Sequence, residues 1–309
     1  SDGGPRNTQG FLWYPTDQTA GAVPAHGNAV WETIDVIPKA PAAPGQHPLV
    51  LISHGLFGNA RNQAWLAQAL TAHGYMVAAI DHPGTSSFMR DPDHRRSLWE
   101  RPRDISRTLD QVLELEGFGA AVDQERIFMA GHSLGGFTAV ALAGGRFDPD
   151  KIDGFCASNP DELVCGLLTN WGIAKTAADR EMMSADLSDA RFAGFAVFDL
   201  GLTQSFSTAS LAAIERPMLV IGAPFDLQGL DLDIESRALV AALPQEHLHY
   251  LEPATLSHFD FLGVCTDRGL EFLTESEPED AFVCQDGITE RQKDHELIVN
   301  SVLDFFADL

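Results

Sequence analysis

The residues best suited to chemistry lie in Gly131-His132-Ser133-Leu134-Gly135, a serine with a glycine two positions away on either side. A serine hydroxyl is a weak nucleophile at neutral pH, so covalent catalysis through it needs a base to take its proton and an acid to orient that base. The five residues alone form a pattern that a chain with 27 glycines can meet by chance. Their surroundings argue for a built turn. Ile127 to Ala130 is an apolar run suited to a buried strand, and Phe137 to Gly145 (FTAVALAGG) suits a helix. So sharp a strand-to-helix turn brings backbone segments close together, and Gly131 and Gly135 supply positions without side chains. Ser133 is therefore expected to project Oγ above the edge of a sheet as a nucleophile.

The partners of a nucleophile on such a turn follow it in the order acid, then histidine. Of the 11 histidines, His258 follows the last predicted strand, whereas His247 and His249 fall within that strand and His295 opens the final helix. His258 is the expected base. Two aspartates compete to orient it: Asp199 ends the strand after the nucleophile helix, and Asp226 ends the next. Asp226 shares an acidic loop with Asp231 and Asp233, where solvated carboxylates are ordinary, while Asp199 lies among apolar residues, where an unpaired charge is costly. That contrast leans towards Asp199 and leaves Asp226 open. A tetrahedral intermediate also needs two backbone N–H donors for its oxyanion. Leu134, directly after the serine, offers one, and Leu56, in the glycine turn His54-Gly55-Leu56, is the expected second.

Alternating strands and helices must hold these groups. His47 to Gly55 and Tyr75 to Ile80 read as buried strands around a helix from Asn62 to His73 that stops at Gly74. Thr85 to Trp99 reads as a long loop, and Asp104 to Glu116 as a helix with Ile105, Leu109, Val112 and Leu113 on one face. After the serine, Phe195 to Phe198, Pro217 to Gly222 and His247 to Leu251 read as strands, Ile234 to Leu243 as a helix, and His295 to Phe306 as the closing helix. This rhythm predicts an α/β fold, a mostly parallel sheet covered by helices on both faces, whose ligands bind at the carboxyl ends of the strands. Residues 1 to 30 read as a loosely held arm with one short strand, without functional content, and Trp31 to Ile37 as an edge strand. Residues 147 to 191 interrupt the rhythm and are expected to form a cap or lid inserted into a single domain spanning 1 to 309.

The formal charge is −24, from 20 basic and 44 acidic residues, and no basic run occurs, which argues against nucleic acid or anionic membranes as partners. No apolar run approaches the roughly 18 residues of a transmembrane helix. Four cysteines fall into two local couples, Cys156 with Cys165 and Cys265 with Cys284. Neither spacing suits zinc or a redox dithiol, so two structural disulfides or four plain thiols remain. Disulfides are the expectation, each worth about 2.5 to 3 kcal/mol on a chain-entropy estimate. They imply an oxidising compartment, hence a periplasmic or extracellular protein in a mature form freed of its signal peptide.

The segments LISHGLFGN, GYMVAAIDHPGTSS, RPRDISRTLD, GHSLGG, FAVFDLG and SHFDFLGVC together resemble the α/β-hydrolase superfamily. Within it they are similar to the branch of platelet-activating-factor acetylhydrolase and its bacterial relatives labelled predicted dienelactone hydrolases. The resemblance covers most of residues 48 to 306. It implies that the acid stands where Ala196-Val197-Phe198-Asp199 places it, and that the residue matching Leu56 is an oxyanion donor. Two departures stand out: the insertion is longer than in the acetylhydrolase, and the nucleophile is serine where true dienelactone hydrolases use cysteine. What the resemblance implies is a serine esterase that needs neither metal nor cofactor and has an apolar acyl pocket. The expected substrates are small-molecule or polymeric esters of short to medium, polyester or lipid-like acyl groups. The competing expectations are a phospholipase A2 of the acetylhydrolase type and a binding protein on a hydrolase scaffold. Oligomeric state is not legible in the chain.

Overall fold

The computed structural model describes residues 6–225, 230–285 and 288–309. The chain enters through β1 (Gln9–Trp13) and a separate antiparallel ribbon of β2 (Val23–Ala25) and β3 (Ile34–Val36). It then alternates through β4 (His47–Ser53), α1 (Ala64–Ala72), β5 (Met76–Asp81), α2 (Pro92–Arg96), α3 (Glu100–Glu114), β6 (Val122–His132) and α4 (Leu134–Ala143). Three helices precede the next strand: α5 (Pro149–Ser158), α6 (Leu163–Trp171) and α7 (Ala177–Met183). The second half supplies β7 (Gly194–Phe198), α8 (Thr208–Ala212), β8 (Met218–Ile221), α9 (Ser236–Ala242), β9 (Leu248–Leu251), α10 (Gly269–Ser276) and α11 (Ile288–Ala307).

Seven strands form one sheet in the order β1-β5-β4-β6-β7-β8-β9, parallel throughout except for β1. Its strands are apolar at successive positions because both faces are covered. Along β4, Leu49 and Leu51 join the layer of α3, α4 and the 147–191 helices, while Val50 and Ile52 join the layer of α1 and α11. Ile105, Leu109, Phe137 and Val140 fill the first layer, and Leu66, Leu70, Ile298, Val302 and Phe306 fill the second. No helix among the described residues is long and apolar enough to cross a membrane.

Three expectations need adjustment. The N-terminal arm is not loose: β1 pairs with β5 along its whole length, from Gln9 opposite Asp81 to Trp13 opposite Val77, and Arg6 bonds the Asp104 carboxylate. Short edge strands of mixed polarity carry little periodicity, so the sheet decides what local pattern does not. The stretch 85–99 contains the short helix α2, capped by the Asp91 side chain, and α3 begins at Glu100 rather than Asp104. Trp31 to Ile37 contributes β3 to the small ribbon, not to the main sheet.

Candidate active site

β6 ends at His132 and α4 begins at Leu134, so Ser133 alone makes the turn, with φ 55° and ψ −118°. A side-chain-bearing residue held there costs on the order of 1–3 kcal/mol and persists only where its surroundings over-determine it. They do so here. The Ser133 N–H donates to Phe198 O at 2.9 Å, and the Gly136 N–H donates to Ser133 O at 2.8 Å. The flanking glycines are sterically required: a Cβ on Gly131 would lie 2.0 Å from Gly135 O, and one on Gly135 would lie 1.9 Å from Ser53 O. Ser133 itself is partly exposed.

β7 lies beside β6 and ends in Asp199, which is 1% exposed and has φ 37°. Its Oδ2 accepts the His258 Nδ1–H at 2.6 Å. Its Oδ1 accepts the Ala223 N–H at 3.1 Å and the Ser236 hydroxyl at 3.4 Å. The acceptor bond fixes the histidine tautomer, leaving Nε2 with its lone pair available. The residue before Ser133 joins in: His132 Nε2–H donates to His258 O at 2.8 Å, and the two rings lie 4.7 Å apart. Burial, and then the proximity of His258, keeps His132 well below the ordinary histidine value, so it stays a neutral strut. Asp226, the competing acid, lies outside the described residues.

The turn after β4 approaches the serine closely, a Cβ on Gly55 falling 3.1 Å from Ser133 Cβ. Among the described residues, neither the Leu56 N–H nor the Leu134 N–H donates to a protein acceptor. Phe57 follows with φ 51°, its N–H bonded to Thr85 O at 2.8 Å. A buried network lies behind this turn. Arg101, 1% exposed, donates to His54 O, Thr85 Oγ1, Ser53 Oγ and Thr138 Oγ1. Ser53 in turn donates to His82 Nε2 at 2.9 Å, and His82 Nδ1–H donates to Asp104 Oδ2 at 3.2 Å. Burial and the Arg101 charge push His82 down to about 3. Burial opposes the charge on Asp104, but hydrogen bonds from His82 and Arg6 outweigh it and hold the carboxyl below its usual range. This second Ser–His–Asp chain is sealed from solvent and its serine oxygen already accepts from arginine, so it braces the Leu56 turn and cannot attack a substrate.

The segment carrying His258 is braced from the opposite side. Ser257 caps the short turn 258–261, its N–H and hydroxyl both bonded to Asp260 Oδ2, at 2.7 and 2.8 Å. Arg291 of α11 pairs with Asp260 Oδ1 at 3.1 Å and donates to Gly263 O. His295 Nε2–H is shared between Asp260 O and Leu262 O, and the Trp65 ring stacks on it at 3.5 Å. The disulfide Cys265–Cys284 ties the following segment to the turn before α11, and Cys156–Cys165 joins α5 to α6.

The structure joins Asp199 to His258 and sets Ser133 on the turn between β6 and α4, as the sequence placed it; the buried Arg101, Asp104, His132 and Arg291 were not singled out from the sequence. Arg101 did leave a signal. It falls on the same helical stripe as Ile105 and Leu109, where a charge needs a buried partner.

Comparison with known proteins places this architecture. A solved ferulic acid esterase from Streptomyces cinnamoneus superposes with a TM-score of 0.64 over 98% of this chain and 82% of that one, at 19% identity. The chain is an α/β-hydrolase by fold. Within that fold, residues 45–165 match the family described as serine aminopeptidase, S33. Cutinase 2 of Thermobifida cellulosilytica is 31% identical over 101 residues, 32% of this chain and 35% of the relative. Cutinase est1 of Thermobifida alba is 30% identical over 132 residues, 42% of this chain and 37% of the relative. The match thus spans little more than a third of the length of these curated relatives.

Proposed function

We propose that this α/β-hydrolase is a serine carboxylic ester hydrolase that works through an acyl-enzyme. The observation that carries the reading is the buried 2.6 Å bond from His258 to Asp199, because a serine without an oriented base is chemically inert. Ser133 Oγ adds to the ester carbonyl carbon as His258 Nε2 takes its proton, and the carbonyl π pair moves to oxygen. The oxyanion is met by the Leu56 and Leu134 N–H groups, whose freedom from protein acceptors supports that role. Collapse expels the alcohol, which receives the proton from His258. Water then attacks the acyl-serine with the same histidine as base, releasing the acid and restoring Ser133. The Asp199 side chain orients the ring and stabilises the imidazolium.

The cutinase relatives support an apolar, short to medium or polymeric ester as substrate. The 147–191 helices form a cap over this edge of the sheet in this reading. Trp171 of α6 packs 5.8 Å from Phe57, and the Arg95 guanidinium lies 5.1 Å from both rings, which joins the cap to the oxyanion turn. The two disulfides and the kinship with cutinases favour an exported protein. Rates on nitrophenyl esters of increasing chain length, on polyester film and on phospholipid vesicles test the substrate class. Highest kcat/KM on short to medium simple esters with release of acid from the film is expected; activity confined to phospholipid would contradict it.

A further inference from the structure

Behind the acid of the triad stands a second carboxylate that the steps above do not use. Glu235 immediately precedes α9 and is 3% exposed. Its two oxygens accept consecutive backbone N–H groups, Leu202 at 3.0 Å and Thr203 at 2.6 Å. Those residues close the turn that begins at Asp199. The turn is strained at both ends, since Asp199 has φ 37° and Leu202 has φ 76°, conformations that side-chain-bearing residues seldom adopt. The same turn is joined to the elbow by the Gly201 N–H, which donates to Ser133 O at 3.4 Å. The next residue along, Ser236, donates its hydroxyl to Asp199 Oδ1. One short segment, 235–236, thus holds both the backbone of the turn that follows the acid and the acid's carboxylate.

Resting on the serine esterase reading, we propose that Glu235 is a positioning residue for the triad, clasping the Asp199–Thr203 turn and placing a second negative charge behind the Asp199–His258 pair. Its electrostatic surroundings make that charge unusual. Asp199 is the charged group that faces it, and its own N–H is taken by Asp231 O. Among the described residues no cation pairs with it. Arg237, two positions on, pairs outward with Asp233 and Glu252. Burial, joined by the Asp199 charge, outweighs the Thr203 and Leu202 donors that favour the ionised form, and the Glu235 carboxyl is pushed up to about 7. The charge behind the triad is therefore set in the same pH range in which a histidine base titrates. At alkaline pH the ionised Glu235 favours the His258 imidazolium that forms during acylation, and at acid pH the neutral form does not.

The test is the pH dependence of kcat/KM between pH 5 and 9 on a nitrophenyl butyrate, for the native protein and for Glu235→Gln and Glu235→Asp, with fluorophosphonate labelling of Ser133 alongside. The native profile should need two ionisations on its acid limb. Glu235→Gln should reduce this to one and move it to lower pH by about one unit, as loss of a nearby negative charge lowers the histidine pKa. Its kcat should fall by tenfold or more with KM within about twofold, the pattern of a misplaced group rather than lost binding. Glu235→Asp should restore the second ionisation. A Glu235→Gln profile that overlays the native one overturns the proposal while leaving the esterase reading intact. A native protein that neither labels nor turns over sinks the esterase reading instead. Should Glu235→Gln fail to fold, a native acid limb described by one ionisation overturns the proposal unaided.

Discussion

Ser133, Asp199 and His258 are each held by a different kind of constraint. The serine is strained and walled by glycines, the aspartate is buried and triply bonded, and the histidine is clamped through its backbone by His132 and through its ring by Asp199. Because Asp199 fixes a tautomer, Asp199→Asn should present an N–H to His258 Nδ1 and reverse it. On nitrophenyl ester hydrolysis the expected loss in kcat is about 10⁴-fold, with the fold unchanged by circular dichroism. Asp226→Asn should change kcat by less than about tenfold, since one aspartate orients the base. The reverse order would assign the acid to Asp226. The places of Ser133 and Asp199 in the fold were legible in the chain because they are local: a turn between a strand and a helix, or the first residue past a strand, can be counted off a sequence, and His258 could be placed only as a residue of the loop after the last strand. Arg101 and Glu235 were not legible. A buried charge is tolerable only for its partners, and those partners lie 16 to 48 residues from Arg101 and 32 or 33 from Glu235.

At the scale of elements, the strands β4, β6 and β7 deliver the Leu56 turn, Ser133 and Asp199 to one edge, and the helices brace what the strands deliver. α3 sends Arg101 under the Leu56 turn, and α11 sends Arg291 and His295 under the His258 turn. The two disulfides belong to different parts of this arrangement. Each should contribute about 3 kcal/mol by the chain-entropy estimate. Removing Cys265–Cys284 by paired serine substitutions should lower both the unfolding midpoint and kcat, because the segment it closes begins seven residues after His258. Removing Cys156–Cys165 should lower stability while leaving kcat on a small acetate ester within about twofold, and change preference among long acyl chains, since it joins α5 to α6 in the proposed cap. Equal losses of kcat in the two variants would contradict this division. The main strands and helices were readable because burial on both faces produces continuous apolar runs bounded by glycine and proline. The short strand of the arm was readable, but its attachment was not, because β1 owes its place to its neighbour β5.

For the molecule as a whole, buried ionisable groups predict how stability follows pH. Burial holds His54, His82, His132 and His295 below the ordinary histidine value. The unfolded chain therefore takes up protons before the folded one as pH falls below about 6.5, and stability is lost from there downwards. Each such group contributes a slope of about 1.4 kcal/mol per pH unit once the unfolded histidine is protonated. Glu235 acts with opposite sign: pushed up to about 7, it binds its proton more tightly when folded, so its contribution is lost as pH rises from about 4.5 through 7. The lowered histidines, His26 among them, outnumber the raised carboxylates Glu235 and Asp81. Urea unfolding midpoints should fall steeply from pH 6.5 to 5, and a flat profile over that interval would mean that these rings are not buried neutral. The catalytic expectations depend on Ser133 being the nucleophile of a serine hydrolase. The most direct measurement is the intact mass and peptide map of the protein after brief exposure to a fluorophosphonate. The account predicts one adduct, on Ser133, absent from Ser133→Ala and formed far more slowly in Asp199→Asn; a native protein that stays unmodified, or is modified elsewhere, would contradict it.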